Sequence, residues 1–207
     1  MALDRALLGG PSTSPLERVK PLAALPVLTL LAVGAPEAAD VSPLLPSDRE
    51  ILQIVLEDFA RSPDSVQYNR ESPHTYVAVD PLTNVLNDPS YVAWHTELAN
   101  SLTPRPPESA VKDFLQRNRR AYSTTELKLS SALRIQTSKD AHEDSWFDKP
   151  DVRTFVRLEA PGYSSDGQLA LVWFNFRWSI HDARGLFILR RSGSSWVIVA
   201  HRVDYYV

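Results

Sequence analysis

The chain has 207 residues, 43% hydrophobic and 23% charged, with a formal net charge of -3 and no cysteine. That composition suits one soluble domain with a real core plus a leader or tail. The slightly acidic balance argues against a general nucleic-acid binder. The lack of cysteine excludes disulfides, thiol catalysis, zinc–thiolate sites and a lipid-modified cysteine anchor.

Arg18 and Lys20 precede an apolar run, Pro21 to Val33, which leads into the small residues Gly34, Ala35, Ala38 and Ala39. Basic, apolar, then small is the layout of a secretory signal peptide. The run falls short of the roughly 20 residues that span a bilayer as a helix. Residues 1–39 are therefore read as a signal-peptide-like or disordered leader. Export to the periplasm or medium is expected, with no transmembrane helix in the mature protein. A disordered Ala/Pro-rich leader is the competing reading.

Residues 40–207 read as a single α+β domain. Residues 34–46 are a Pro/Ala-rich linker. Ser47 and Glu50 form a capping box, and Ile51, Leu52, Val55, Leu56 and Phe59 follow at helical spacing, which predicts a helix over 48–61 ended by Ser62-Pro63. His74 to Asp80 alternates as a short strand. Asp88-Pro89 is an N-cap followed by proline at the first helical position, opening a helix over 89–101 with Val92, Leu98, Ala99 and Leu102 on its apolar stripe. Glu108 to Arg119 is a further helix, facing Val111, Phe114 and Leu115 inward. The basic cluster Arg117, Arg119 and Arg120 sits at its end, where dipole complementation and solvation account for it. Leu127 to Thr137 holds a strand, and Ser138 to Pro150 is a polar loop carrying Trp146.

From Asp151 onward, apolar and polar residues alternate in four runs, broken at Pro161-Gly162, Asp166-Gly167, Gly185 and Ser192-Gly193. This is the pattern of an antiparallel meander. In the run Gln168 to Trp178, one face carries Ala170, Val172, Phe174, Phe176 and Trp178. The other starts with Leu169, Leu171 and Trp173 and ends with Asn175 and Arg177. Such a strand is central, covered on both faces at its start and on one at its end. The predicted architecture is a five- or six-stranded, mainly antiparallel sheet with two or three N-terminal helices on one face.

These pieces resemble an uncharacterised family of exported bacterial proteins. The matching stretches are Tyr76 to Asp80, Val111 to Phe114 with Gln116 to Asn118, Pro161 to Tyr163 followed by Asp166 to Val172, and Gly185 to Arg191 with Gly193 and Trp196 to Val199. The resemblance implies fold and export and no known activity. A cysteine pair frequent in that family between the last two long strands is missing; Ser179 to Ala183 occupies that stretch. A looser likeness is to nuclear-transport-factor-2-like cone folds, which imply helices against a curved sheet enclosing a pocket.

Candidate chemistry is sparse. His181 and Asp182 are read in the turn after the central strand, with Arg177 before and Arg184 after, a grouping able to act as a base or bind an anion. His201 falls in phase with Val197, Val199, Val203 and Tyr205; if the sheet encloses a pocket, His201 and Tyr205 are its polar lining. His142, Glu143, Asp144 and Asp148 read as a solvated loop rather than a metal site, and Ser164 and Ser165 lack a nucleophile elbow. No cofactor or metal motif is present. Phe155, on a face with Arg153, Arg157 and Glu159, is a candidate exposed aromatic at a subunit contact. The leading expectation is a non-enzymatic exported domain binding a small ligand or cell-envelope partner at His201, Tyr205, His181, Asp182 and Arg184. The alternatives are a small cone-fold pocket enzyme using His201 or His181 as acid/base, and a purely structural domain.

Overall fold

The computed structural model describes residues 41–62, 75–136, 151–178 and 181–206; the side chains of Trp178, His181, Tyr205 and Tyr206 lie outside the description. In chain order the elements are β1 (Ser42–Pro43), α1 (Pro46–Arg61), β2 (Tyr76–Val79), α2 (Pro89–Asn100), α3 (Glu108–Arg117), β3 (Tyr122–Ser123), β4 (Leu133–Ile135), β5 (Val152–Leu158), β6 (Gly162–Tyr163), β7 (Leu169–Trp178), β8 (His181–Ser192) and β9 (Ser195–Tyr206). The main sheet runs β4-β2-β5-β7-β8-β9, with β6 also paired to β7, and a small second sheet joins β1 to β3. The class is α+β, and the meander β5-β7-β8-β9 is antiparallel throughout. β2 is the exception, running parallel to both β4 and β5. All four residues of β2 are buried, the usual environment of parallel strands.

Several sequence readings need correction. The helices do not gather on one face. Alternate residues of β7 point to opposite sides. Ala170, Val172, Phe174 and Phe176 join a core with Ile51, Leu52, Val55, Leu56 and Phe59 of α1. Leu171 and Trp173 join a separate core with Ala99 of α2 and Ala110, Val111 and Phe114 of α3. The sheet is thus sandwiched between α1 on one side and α2 with α3 on the other.

The start of α1 is also different. Its N-cap is Leu45, with Pro46 at the first helical position. Asp48, rather than Glu50, reaches back to accept from the Leu45 amide at 2.9 Å. Asp48 is fully buried, because Arg117 of α3 (2.6 Å) and the Tyr163 hydroxyl (2.7 Å) both donate to it. Arg117 is therefore a tertiary tie between α3 and α1 and not a solvated helix end. Part of the expected linker, Ser42–Pro43, is a strand.

Gly185 is not a turn. It lies inside the twelve-residue strand β8, opposite Phe174. A Cβ at Gly185 would sit 2.4 Å from the Phe174 ring, so the missing side chain is what lets that ring pack over the sheet. The hairpin signals at Gly167 and Gly193 hold, both with positive φ, as tight turns require. Phe155 is buried against Tyr76, Ala78 and Val152, which removes the subunit-contact reading. Among the described residues of the predicted 127–137 strand, only Leu133–Ile135 pairs, parallel to β2. The loop 138–150, with Trp146 and His142, lies outside the described residues.

Among the described residues, no helix is long and apolar enough to cross a membrane.

Candidate functional site

The two-sided cover of the sheet is incomplete, and the gap makes a cleft. α2 and α3 cover β7 at Leu171 and Trp173 but stop short of Asn175 and Arg177. Register places Arg157 of β5, Asn175 of β7 and Arg184 of β8 side by side across three adjacent strands. One row further on, Arg177 faces Asp182. These five side chains form one wall of a cavity of about 340 Å³; segment 84–88 and Tyr91 of α2 form the other. The change from apolar to polar along that face of β7 marks the point where the helix cover ends.

The opposing segment is pinned to the sheet by its backbone. The Asn84 amide donates to the Leu158 carbonyl at 2.7 Å, and the Leu86 amide to the Asn118 carbonyl at 2.7 Å. Buried Asn118 in turn clamps Phe114 and Ala160 through its carboxamide. Asp88 caps α2 by accepting from the Ser90 amide and hydroxyl. Those two hydrogen bonds, the hydroxyl first, hold its carboxyl below the ordinary carboxylate value.

Beneath the cleft lies a buried polar pair. His95 and Glu159 are 0% and 1% exposed, with His95 Nε2 3.4 Å from Glu159 Oε2. His95 Nδ1 is 2.5 Å from the Tyr91 carbonyl. A carbonyl only accepts, so Nδ1 carries a hydrogen. Nε2 and Oε2 face each other, both buried and without a hydrogen-bond partner among the described residues. Glu159 Oε1 also accepts from the carboxamides of Asn84 and Asn175, each at 3.4 Å. Both asparagines line the cleft, so the buried glutamate orients its floor with their NH₂ groups turned inward. Trp173 packs edge-on to His95 at 4.5 Å, and its indole nitrogen is buried with no hydrogen-bond partner among the described residues.

The arginines are individually engaged. Arg157 pairs with Asp80 at 2.8 Å and Arg177 with Asp182 at 2.7 Å. Arg184, 7% exposed, lies over the Trp94 ring at 3.8 Å and near Tyr91 at 4.8 Å.

Of the expected site residues, Asp182 and Arg184 line this cleft. Asp182 does so as a strand residue rather than a turn residue, since β8 begins at His181. His181 pairs with Trp178 in the ladder, and its side chain, like that of Tyr205, is outside the description. His201 lies elsewhere. β9 carries a bulge: Leu189 pairs with Ile198 but Ile188 pairs with Ala200. The extra residue, Val199, flips the phase of everything after it. His201 is consequently opposite Phe187, not in phase with Val197, and its exposed ring stacks on Phe187 at 5.5 Å. Phe187 belongs to the α1-side core, so His201 is on the face away from the cleft.

Asn84, Trp94, His95 and Glu159 were not singled out from the sequence. One signal was there: His95, Ala99 and Leu102 share a helical stripe, and all three are buried. Among the described residues, no cluster of histidine, aspartate and glutamate could hold a metal ion. No protein-family model, curated protein or solved structure matches the chain.

Proposed function

We propose that this is an exported, non-enzymatic domain that binds a small carboxylate in the cleft between β5, β7, β8 and segment 84–88. The carrying observation is the wall built by Arg157, Arg177 and Arg184 on three adjacent strands, set against only Asp88 and Asp182 among the acids lining the cavity. Planar guanidinium forks match carboxylates in geometry as well as charge. The two asparagine carboxamides that complete the lining are neutral and are held in place by Glu159. An incoming carboxylate takes the place of Asp182 on part of the Arg177 fork, an exchange made easy by the exposure of both groups (43% and 39%).

Binding is favoured over catalysis because the one histidine–carboxylate pair described, His95 with Glu159, is closed to solvent and a substrate has no path to it. The exported setting is supported by the basic, apolar and small order of the leader and by the likeness to the exported bacterial family. Fractionation of cells expressing the full chain tests the export: protein confined to the cytosol with an intact N-terminus removes it.

Calorimetric titration tests the binding. Succinate and citrate are expected to bind, and glucose and putrescine to show no heat. Arg177→Gln is expected to weaken succinate at least tenfold while its circular dichroism stays that of the parent chain. Equal binding of putrescine and succinate, or no response to Arg177→Gln, rejects the proposal.

A further inference from the structure

A second hollow adjoins the carboxylate cleft. Its volume is about 430 Å³ and it is lined by Ser90, Tyr91, Trp94 and Arg184. Tyr91 and Arg184 line both cavities, so the two are continuous around one arginine. Their chemistry differs: the first is walled by arginines, aspartates and carboxamides, the second by two aromatic rings.

We propose that the ligand is an aryl carboxylate, its acid group held at Arg177 and Arg184 and its ring against Tyr91 and Trp94. This rests on the reading of the cleft as a carboxylate site and narrows it. Three observations carry it. Tyr91 is 44% exposed although it stands one turn before buried His95 on the same stripe of α2. A large aromatic left at the mouth of a polar cavity is the kind of surface that a flat apolar group covers. The shelf is also rigid. Asp88 and Pro89 fix the start of α2, and the Trp94 and Tyr91 rings both pack on buried His95, at 5.4 Å and 6.2 Å. Finally, Arg184 is a nine-tenths buried cation shared by both hollows. Stacked on the Trp94 indole, it keeps its N–H donors in its own plane and its faces for rings. A ligand with acid and ring joined by one or two atoms satisfies both hollows at once; an aliphatic acid satisfies one.

The test is a titration series of acetate, hexanoate, phenylacetate and indole-3-acetate against the full chain, with succinate as the reference for the carboxylate site. Phenylacetate and indole-3-acetate are expected to bind at least tenfold tighter than acetate, and hexanoate clearly less tightly than either. Tyr91→Ser, at an exposed position, is expected to cut that aryl advantage, read as the ratio of phenylacetate to acetate affinity in the same variant, to about threefold or less. Trp94→Leu gives the same readout from the other side of the shelf. If succinate binds but phenylacetate gains nothing over acetate or hexanoate, the aryl assignment fails and the carboxylate site stands. If the aryl advantage survives both variants, the shelf is not where the ring lies and the assignment is overturned. If no carboxylate binds, both readings fall together.

Discussion

Tyr163 shows at the residue scale how one side chain ties distant parts of the chain. Its hydroxyl donates to Asp48 at 2.7 Å, its amide donates to Asp113 at 2.8 Å, and the Arg117 guanidinium lies 5.3 Å from its ring centre. Burial first, and the Asp48 charge second, raise its pKa well above the ordinary value near 10. The folded state therefore favours the neutral phenol. The stability this contributes is fully present below about pH 10 and is lost as pH climbs toward the raised value, because the unfolded chain deprotonates first. Tyr163→Phe removes a hydrogen bond to a charged acceptor, a cost of roughly 1.5–3 kcal/mol at neutral pH. In urea denaturation that gap is expected to shrink steadily between about pH 9.5 and 11, and a gap independent of pH would show that the hydroxyl does not feel Asp48. None of this was legible locally. The sequence signature placed a capping box at Ser47 and Glu50, but Asp48 won the role because Arg117 and Tyr163 converge on it from 69 and 115 residues away. Glu159 was obscured in the same way. Its alternation with Arg157 suggested solvent, and only Asn84, Asn175 and His95 make its burial tolerable.

Strands and helices were read well where one face decides them, and less well where partners do. α1, α3 and the β7 pattern followed from apolar spacing. α2 was placed correctly, and Leu98, Ala99 and Leu102 of the predicted stripe do pack inward, but the stripe also includes His95, whose Nδ1 meets the Tyr91 carbonyl at a core position that a hydropathy count leaves blank. The bulge in β9 is the clearest case. A single extra residue at Val199 cannot be seen in an alternating run, yet it moves His201 across the sheet. It also separates Val197, which is 40% exposed, from Val203, which packs against the α1-side core. In an unbulged strand these two valines share a face and respond alike. With the bulge, Val197→Lys is expected to change stability by no more than about 0.5 kcal/mol. Val203→Lys, which drives a charge against apolar neighbours, is expected to cost about 2 kcal/mol or more. Similar costs at the two positions, measured by chemical denaturation, would place the strand in the unbulged register.

At the scale of the whole molecule, the sheet is a wall shared by two cores, and that sharing determines both the cleft and the cooperativity. β7 already carried the information: Leu171 and Trp173 are as apolar as Val172 and Phe174, and a strand with two apolar faces requires cover on both. Putting every helix on one side left Trp173 without a partner; the structure resolves this by sending α1 one way and α2 with α3 the other. The α2–α3 layer is the shorter cover, and the sheet beyond it is polar instead of apolar, which is where the arginines stand. The two cores share the backbone and alternate side chains of β7, β8 and β9, and the Arg117–Asp48 pair ties α3 to α1. A rigid shared wall predicts one unfolding unit rather than two. Phe59, wedged between Phe174 and Phe176 at 4.9 and 4.6 Å, anchors one side. Phe114, stacked on His95 at 5.8 Å and close to Trp173 at 4.9 Å, anchors the other. Phe59→Ala and Phe114→Ala are each expected to cost about 3–5 kcal/mol. In each variant, helix content followed by circular dichroism and burial of tryptophan followed by fluorescence are expected to be lost at the same denaturant concentration. If Phe114→Ala instead loosened the tryptophan signal while the α1 side stayed folded to higher denaturant, the α2–α3 layer would be a separable cover. The cleft it borders would then open and close independently of the sheet, and carboxylate affinity would fall with that layer's stability rather than with the loss of Arg177.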